Sequence, residues 1–151
     1  MTLQRLRYWS LLVVVSFCCL FSFSGCGGRD VEQVSVSGKV TLDGGAMPGP
    51  GTLYFTPASA AEGSPLRPGT ANFKADGSYS AGSFEEGDGL VPGNYKVAVH
   101  CWEVSPNMED VEPVSFIPEK YTNAGTSGLT VEVPSGSRSI SKDFALVSET
   151  P

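Results

Sequence analysis

The sequence predicts an all-β protein whose main domain is a single antiparallel β-sandwich of Greek-key type with about seven short strands. Beyond residue 33, short runs of alternating apolar and polar residues follow one another, and none has the 3.6-residue period of an amphipathic helix. Turn-forming residues separate these runs, since the 151-residue chain contains 18 glycines and 11 prolines. A hydrophobic fraction of 40% is too high for a disordered chain and sufficient for a packed core.

The first two strands are expected at 34–42 and 52–56. In the first, apolar residues alternate with polar ones, so the apolar side chains are expected to face the core. Gly38 interrupts that inner face, which indicates a bulge or a close approach of another backbone. Pro57 lacks an N–H group and is expected to end the second strand.

A hairpin is expected next, with strands at 70–74 and 78–80. Asp76 and Gly77 stand between these runs, and an Asp-Gly pair favours the left-handed backbone conformations of a tight hairpin turn. The turn therefore predicts that the two runs pair with each other as a β-hairpin.

The clearest alternation lies at 95–102. Tyr95 and Cys101 are expected on its inner face with two valines, and His100 and Trp102 on its outer face. The Tyr95 hydroxyl is expected to reach a backbone partner, because a buried phenol group needs a hydrogen bond.

The C-terminal third of the chain begins with a long acidic loop, expected at 104–118. Alternating apolar residues at 129–133 indicate a further strand. A last strand is expected at 140–146, close to the C-terminus.

The N-terminal segment predicts export. Arg5 and Arg7 form a basic flank, and 11–23 is a run of thirteen uncharged residues. A helix of that length covers about 20 Å, which is short of the roughly 30 Å hydrocarbon core of a bilayer. Residues 1–25 are therefore predicted to be a signal peptide.

The signal segment ends in Phe23-Ser24-Gly25-Cys26, an apolar residue followed by two small residues and a cysteine. This resembles the lipobox of bacterial lipoproteins, with phenylalanine in place of the usual leucine. The resemblance implies cleavage before Cys26, acylation of the new N-terminus, and a lipoprotein anchored to a membrane of the cell envelope, facing the periplasm or in the outer membrane. The alternatives are an uncleaved membrane anchor or a cut at another position.

Cleavage at that point would leave a tether at 26–33 and a folded domain at 34–148. Cys18 and Cys19 would depart with the signal peptide, and the anchor cysteine would be acylated. Cys101 would then be the one free thiol, so an intramolecular disulfide is not available. The domain must therefore be stabilised by its core.

Four segments carry a second resemblance: 36–44 (VSGKVTLDG), 55–57 (FTP), 75–79 (ADGSY) and 91–97 (VPGNYKV). Their order is similar to that of transthyretin-like β-sandwich domains, also called carboxypeptidase regulatory-like domains. The segment 117–121 (IPEKY) also resembles small lipoproteins of planctomycete bacteria. The resemblance implies an accessory, binding or spacer module and implies no particular activity.

Charge and histidine content limit the function classes. The formal net charge is −6, so a basic surface for nucleic acid is not expected. His100 is the single histidine and adjoins Cys101, but neighbours on a strand point to opposite faces and cannot form a catalytic dyad. The protein is predicted not to be an enzyme and to use no cofactor.

Aromatic and acidic residues indicate alternative binding roles. Trp102, Tyr54 and Tyr121 are candidate ligand contacts, because aromatic rings can act as stacking platforms on a sandwich. Acidic segments at 85–88 and 109–112 could supply oxygen ligands to Ca²⁺, although neither has the spacing of an EF-hand loop. A solvated acidic face is the simpler interpretation, and no metal site is predicted.

The predicted function is therefore a non-enzymatic binding or scaffolding module held on the envelope by its lipid. Its expected partners are the membrane and an unknown envelope protein or glycan. The alternative is an accessory domain that binds envelope polysaccharide or Ca²⁺.

Overall fold

The computed structural model describes residues 31–106 and 111–148, and β-strands dominate them. Ten strands and one short 3₁₀ turn follow in chain order. They are β1 Ser35–Leu42, β2 Gly51–Ala60, β3 Gly69–Phe73, β4 Ser78–Ser80, β5 Gly93–His100, β6 Trp102–Val104, β7 Val114–Ser115, the 3₁₀ turn Glu119–Thr122, β8 Leu129–Val133, β9 Ser139–Ser141 and β10 Phe144–Leu146. The predicted all-β class is confirmed.

Most of the strands belong to one large mixed sheet. Its order is β10-β1-β4-β3-β2-β5-β8, and β9 pairs with β1 off this path. The sheet curls until it is nearly closed, and β6 and β7 form a separate two-stranded sheet. Strands β3, β2 and β5 thus lie side by side, and their outer face carries the candidate site.

The expected antiparallel arrangement is confirmed where β1 pairs with β4 and is wrong on the other side of β1. Residues 35–37 pair with β9 and residues 40–42 pair with β10, and both pairings are parallel. Two strands, both parallel to β1, therefore replace the single last strand expected at 140–146. Alternation could not indicate this, because side chains alternate between faces in parallel and antiparallel strands alike.

Gly38 lies where β1 changes its partner from β9 to β10. A Cβ atom at this position would lie 2.0 Å from the carbonyl oxygen of Lys142, which connects those two strands. The predicted close backbone approach at Gly38 is confirmed. Asp143 also fixes the connection between β9 and β10 against β1, because its Oδ1 accepts a 2.8 Å hydrogen bond from the Lys39 N–H.

The inner face of the large sheet encloses a core of buried aliphatic and aromatic side chains. The Phe55 ring of β2 lies 6.3 Å from that of Tyr79 and 6.4 Å from those of Tyr95 and Phe144, measured between centroids. Phe144 belongs to β10, which is not a neighbour of β2 in the sheet. This contact therefore crosses the interior and packs one part of the curled sheet against another.

Two buried tyrosine hydroxyl groups donate hydrogen bonds to backbone carbonyl oxygens. Tyr95 donates to the carbonyl oxygen of Val91 at 2.6 Å, so its predicted backbone partner is confirmed. Tyr79 donates to that of Lys142 at the same distance. Burial raises the pKa of both phenol groups, which keeps them protonated as donors.

The hairpin predicted around Asp76 and Gly77 is confirmed between β3 and β4. Gly77 has a φ of 80°, a left-handed conformation that glycine adopts without steric cost. Asp76 Oδ1 accepts a 2.9 Å hydrogen bond from the N–H of Ser78, which closes the turn.

Three predicted boundaries are wrong. The strand expected at 95–102 ends at His100, and Trp102 begins the separate strand β6. β2 continues past Pro57 to Ala60, and its register with β5 shifts just after the proline. β3 pairs with β2 only as far as Phe55, so Pro57 lies where β2 has a single neighbour and its missing N–H is tolerated. The acidic loop expected at 104–118 contains β7, which pairs with β6.

Candidate functional site

The predicted lipidation site lies outside the described residues. Cys26 belongs to residues 1–30, and Glu109 and Asp110 of the second acidic segment also fall outside them. Within 31–106 and 111–148, no helix is long and apolar enough to span a lipid bilayer. The other predicted site residues are all described.

Two of the three predicted aromatic contacts, Tyr54 of β2 and Trp102 of β6, lie beside His100. The pairing of β2 with β5 places Tyr54 opposite Ala98, and Thr52 opposite His100. The His100 ring centroid lies 4.9 Å from that of Tyr54 and 5.5 Å from that of Trp102. We call Tyr54, His100 and Trp102 the aromatic strip.

A groove of about 490 Å³ runs beside the aromatic strip. All three rings of the strip line it, together with Phe116, which follows β7 and is 39% exposed. Residues 49–51, ahead of and at the start of β2, also line it. We call this hollow the main groove; it lies between the large sheet and the β6–β7 hairpin.

A second hollow of about 470 Å³ adjoins the main groove and shares Tyr54 and His100 with it. Thr56 and Lys96 line it from the strands, and residues 122–125 line it from the segment after the 3₁₀ turn. We call it the side depression. Because the two hollows share two rings, they form one extended surface across β2 and β5.

Polar side chains border the main groove on the β3 side. Asn72 Oδ1 accepts a 3.1 Å hydrogen bond from the Thr52 hydroxyl, and the Asn72 amide donates to Glu86 Oε1 at 3.2 Å. Asn72 points outward because it alternates with the buried Ala71 and Phe73. We call Asn72, Thr52 and Glu86 the polar row.

The His100 ring is held by a 2.9 Å hydrogen bond between its Nε2 and the carbonyl oxygen of Thr122. A carbonyl group only accepts, so Nε2 is the donor in this hydrogen bond. Cys101 faces the opposite way, fully buried, and its thiol donates to the Gly49 carbonyl oxygen at 3.5 Å. Burial raises the pKa of this thiol, which disfavours the reactive thiolate.

The structure places Tyr121 away from this surface. Its ring is 6% exposed, and its hydroxyl accepts a 3.1 Å hydrogen bond from the Val147 N–H. Ile117, just before the 3₁₀ turn, is buried as well, so this segment packs two apolar side chains into the core. A single short turn has no periodicity from which its inner face could be inferred.

In the first acidic segment, the Asp88 carboxylate is bound by its own loop. It accepts hydrogen bonds from the N–H groups of Ser83 at 2.8 Å and Glu85 at 3.0 Å, and from the Gln33 amide at 2.7 Å. Burial acts to raise the pKa of this carboxyl group, but the hydrogen bonds outweigh it and leave the pKa below its ordinary value. In the part of the chain that the structure describes, no three His, Cys, Asp or Glu side chains converge as metal ligands would.

Sequence reasoning missed Asn72 and Phe116 as members of the site. Asn72 had a usable signal, because the alternation of β3 turns it outward between two buried residues. Phe116 had none, because β7 is only two residues long and indicates neither a strand nor a partner.

The site therefore consists of the aromatic strip, in which Tyr54 is exposed and His100 and Trp102 are half-buried, two hollows beside it and a polar row at one border. Such a surface can stack against the apolar face of a ligand ring and hydrogen-bond to its polar edge. Comparisons of the chain with protein-family models, with curated proteins and with solved structures find no match.

Proposed function

We propose that this protein is an exported lipoprotein of the cell envelope, anchored through an acylated Cys26, whose β domain is a non-enzymatic binding or scaffolding module. The anchor is supported by the N-terminal order of basic flank, uncharged run and Phe23-Ser24-Gly25-Cys26. Two or three acyl chains would hold the domain firmly on the membrane, since each buried CH₂ contributes about 0.8 kcal/mol.

The exposed rings around the main groove are the observation that carries the binding role. Tyr54 is 42% exposed and Phe116 is 39% exposed, although burial of such rings would stabilise the fold. Exposed apolar groups that converge on one hollow, with polar groups at its border, are typical of a ligand or partner surface.

Two placements support a non-enzymatic role. The imidazole Nε2 of His100 is used in the hydrogen bond to Thr122, and the thiol of Cys101 is buried on the opposite side. The two groups best suited to nucleophilic chemistry in the domain therefore do not face each other.

We also infer that the domain is a transthyretin-like β-sandwich. The contact between Phe55 and Phe144 supports two packed layers, because it joins strands that are not neighbours in the sheet. The parallel pairing of β1 with β9 and β10 would be a departure from a purely antiparallel sandwich.

The alternative function is an accessory domain for envelope polysaccharide or Ca²⁺. The aromatic strip and the polar row favour the polysaccharide form of this alternative. Asp88 argues against Ca²⁺ at the first acidic segment, because its carboxylate oxygens already accept hydrogen bonds from the loop.

Mass spectrometry of the N-terminus of the membrane-derived protein tests the anchor. A mature chain that begins at an acylated Cys26 is expected, and Cys26→Ser is expected to leave the chain unprocessed and unacylated. Recovery of the unmodified parent protein from the soluble fraction would contradict the proposal.

The non-enzymatic role is tested with purified protein and a panel of ester, amide and glycoside substrates. No turnover dependent on His100 or Cys101 is expected. Hydrolysis that is abolished by His100→Ala would show that the domain is an enzyme.

A further inference from the structure

We infer that the main groove and the side depression together bind a neutral oligosaccharide chain of at least two sugar rings. The inference rests on the proposed function, because it names the ligand class of that binding module. Its support comes from ring geometry, from the extent of the surface and from the polar groups along it.

The rings of the aromatic strip are inclined to one another. The Tyr54 and His100 planes differ by 56°, and the His100 and Trp102 planes by 74°. One flat ligand cannot stack on successive rings set at such angles. Sugar rings turn relative to one another about each glycosidic bond, and their slightly positive C–H faces match the negative faces of aromatic rings.

The extent of the surface indicates more than one sugar ring. Each hollow lies within the size range of ligand sites, about 300 to 1,000 Å³. They measure about 490 and 470 Å³ and share Tyr54 and His100. A chain that lies over the shared rings therefore reaches both hollows at once.

The polar groups suit hydroxyl groups, which both donate and accept. Asn72 uses one N–H and accepts one hydrogen bond in the polar row, so its second N–H and its second lone pair are available to a ligand. Thr52, Asn72 and Ser105 give the main groove polar side chains, unlike the aliphatic lining of a groove for a lipid or an apolar helix.

Charge favours a neutral chain over an anionic one. The formal net charge of −6 repels polyanions at long range, and the Glu86 carboxylate accepts a hydrogen bond from Asn72 of the main groove. Lys96 brings one positive charge to the side depression, which offsets this repulsion only locally. We therefore expect acidic polysaccharides to bind more weakly than neutral ones.

Tryptophan fluorescence of the full chain provides the test. Trp102 is the one tryptophan of a chain that begins at Cys26, and a Trp9→Phe parent keeps it the one reporter if the signal peptide is retained. The protein is held in a detergent without a sugar headgroup. The probes are neutral hexasaccharides with glucose, mannose, galactose or xylose backbones, the matching monosaccharides, and a uronic-acid hexasaccharide. At least one neutral hexasaccharide is expected to change Trp102 emission saturably, with the monosaccharide and the acidic chain at least tenfold weaker.

Variants locate the binding. Tyr54→Ala is expected to weaken the active hexasaccharide at least tenfold, and Asn72→Ala several-fold. Phe84→Ala is the matched control, because Phe84 is 45% exposed but lines neither hollow, and less than a twofold change is expected. Circular dichroism of each variant checks that it is folded.

Several results would overturn the inference: no saturable response to any neutral hexasaccharide, unchanged affinity in Tyr54→Ala, or a monosaccharide that binds as tightly as its hexasaccharide. Its failure is distinguishable from failure of the proposed function. Absent sugar binding with an acylated Cys26 overturns only the inference, and sugar binding by a chain that is not acylated overturns only the anchor.

Discussion

Two aromatic clusters lie on opposite sides of strand β2. Phe55 belongs to the inner cluster and is 1% exposed, whereas its neighbour Tyr54 belongs to the outer aromatic strip and is 42% exposed. The inner rings pack against one another across the interior, and the hydroxyls of Tyr79 and Tyr95 end on backbone carbonyl groups. The outer rings line a groove that is open to solvent.

The difference teaches that the exposure of an aromatic side chain depends on the face of the strand that it occupies. The inner cluster stabilises the fold, because its rings are removed from water and its hydroxyl groups are paired. The outer strip leaves ring surface in contact with water, so its contribution to stability is small and its free surface is available to a ligand.

The largest expected effect on stability distinguishes Phe55 of the inner cluster from its neighbour Tyr54 of the aromatic strip. Phe55→Ala is expected to lower the free energy of unfolding by about 3 to 5 kcal/mol, because it leaves a cavity among packed rings. Tyr54→Ala is expected to change it by less than about 1 kcal/mol. Denaturant unfolding measures both values, and equal losses would remove the distinction between the clusters.

Gly38→Ala tests the close approach of β1 to the connection between β9 and β10. A Cβ atom there would overlap the carbonyl group of Lys142, so the β9–β10 connection must shift, at an expected cost of about 2 kcal/mol. Gly45→Ala is the control, because its Cβ would meet its nearest atom, the Leu42 carbonyl oxygen, at 3.5 Å. Thermal unfolding of the two variants compares them, and equal midpoints would contradict the close approach.

The hydroxyl groups of Tyr95 and Tyr54 extend the comparison to single atoms. Tyr95→Phe is expected to lower the free energy of unfolding by about 1 to 2 kcal/mol, since the Val91 carbonyl group loses its buried donor. Tyr54→Phe is expected to change it by less than about 0.5 kcal/mol, because Tyr54 is exposed. A larger loss in Tyr54→Phe than in Tyr95→Phe would reverse the assignment of inner and outer roles.

The smallest expected effect concerns the acidic loop beside β3. The pKa of Asp88 is lower in the folded protein than its ordinary value of 3.8, so its ionised form stabilises the fold above that pH. This contribution is lost as the pH falls below that value and through the folded pKa. The difference in unfolding free energy between the parent and Asp88→Asn is therefore expected to be full near neutral pH and to vanish in strong acid. A difference that stays constant with pH would contradict a structural role for the ionised carboxylate.

Much of the inner cluster could be predicted from the sequence. Alternation placed Tyr95 inside and His100 outside, the Asp76-Gly77 pair indicated the hairpin, and Gly38 indicated a close approach. These are local properties, because the face of a strand residue and the handedness of a turn depend on a few neighbouring residues.

The candidate site was predictable only in part. Trp102 was placed on an outward position and Tyr54 was named for its aromatic ring alone, but Tyr121 did not stand out as a core residue. Phe116 gave no signal at all. Each depends on how a short turn or a two-residue strand docks on the rest of the domain, and sequence periodicity does not report that docking.

By itself, the sequence determined the β-strand class, most of the turns and the faces of β1 and β5 on which their side chains lie. Only the tertiary structure decided that β9 and β10 run parallel to β1, that Tyr121 turns inward, and that Tyr54, His100 and Trp102 meet around one groove. The physical reason is the different range, along the chain, of the interactions that decide these features. Backbone conformation and alternation follow from neighbouring residues, whereas strand order and the meeting of distant side chains follow from the burial of the whole apolar surface at once.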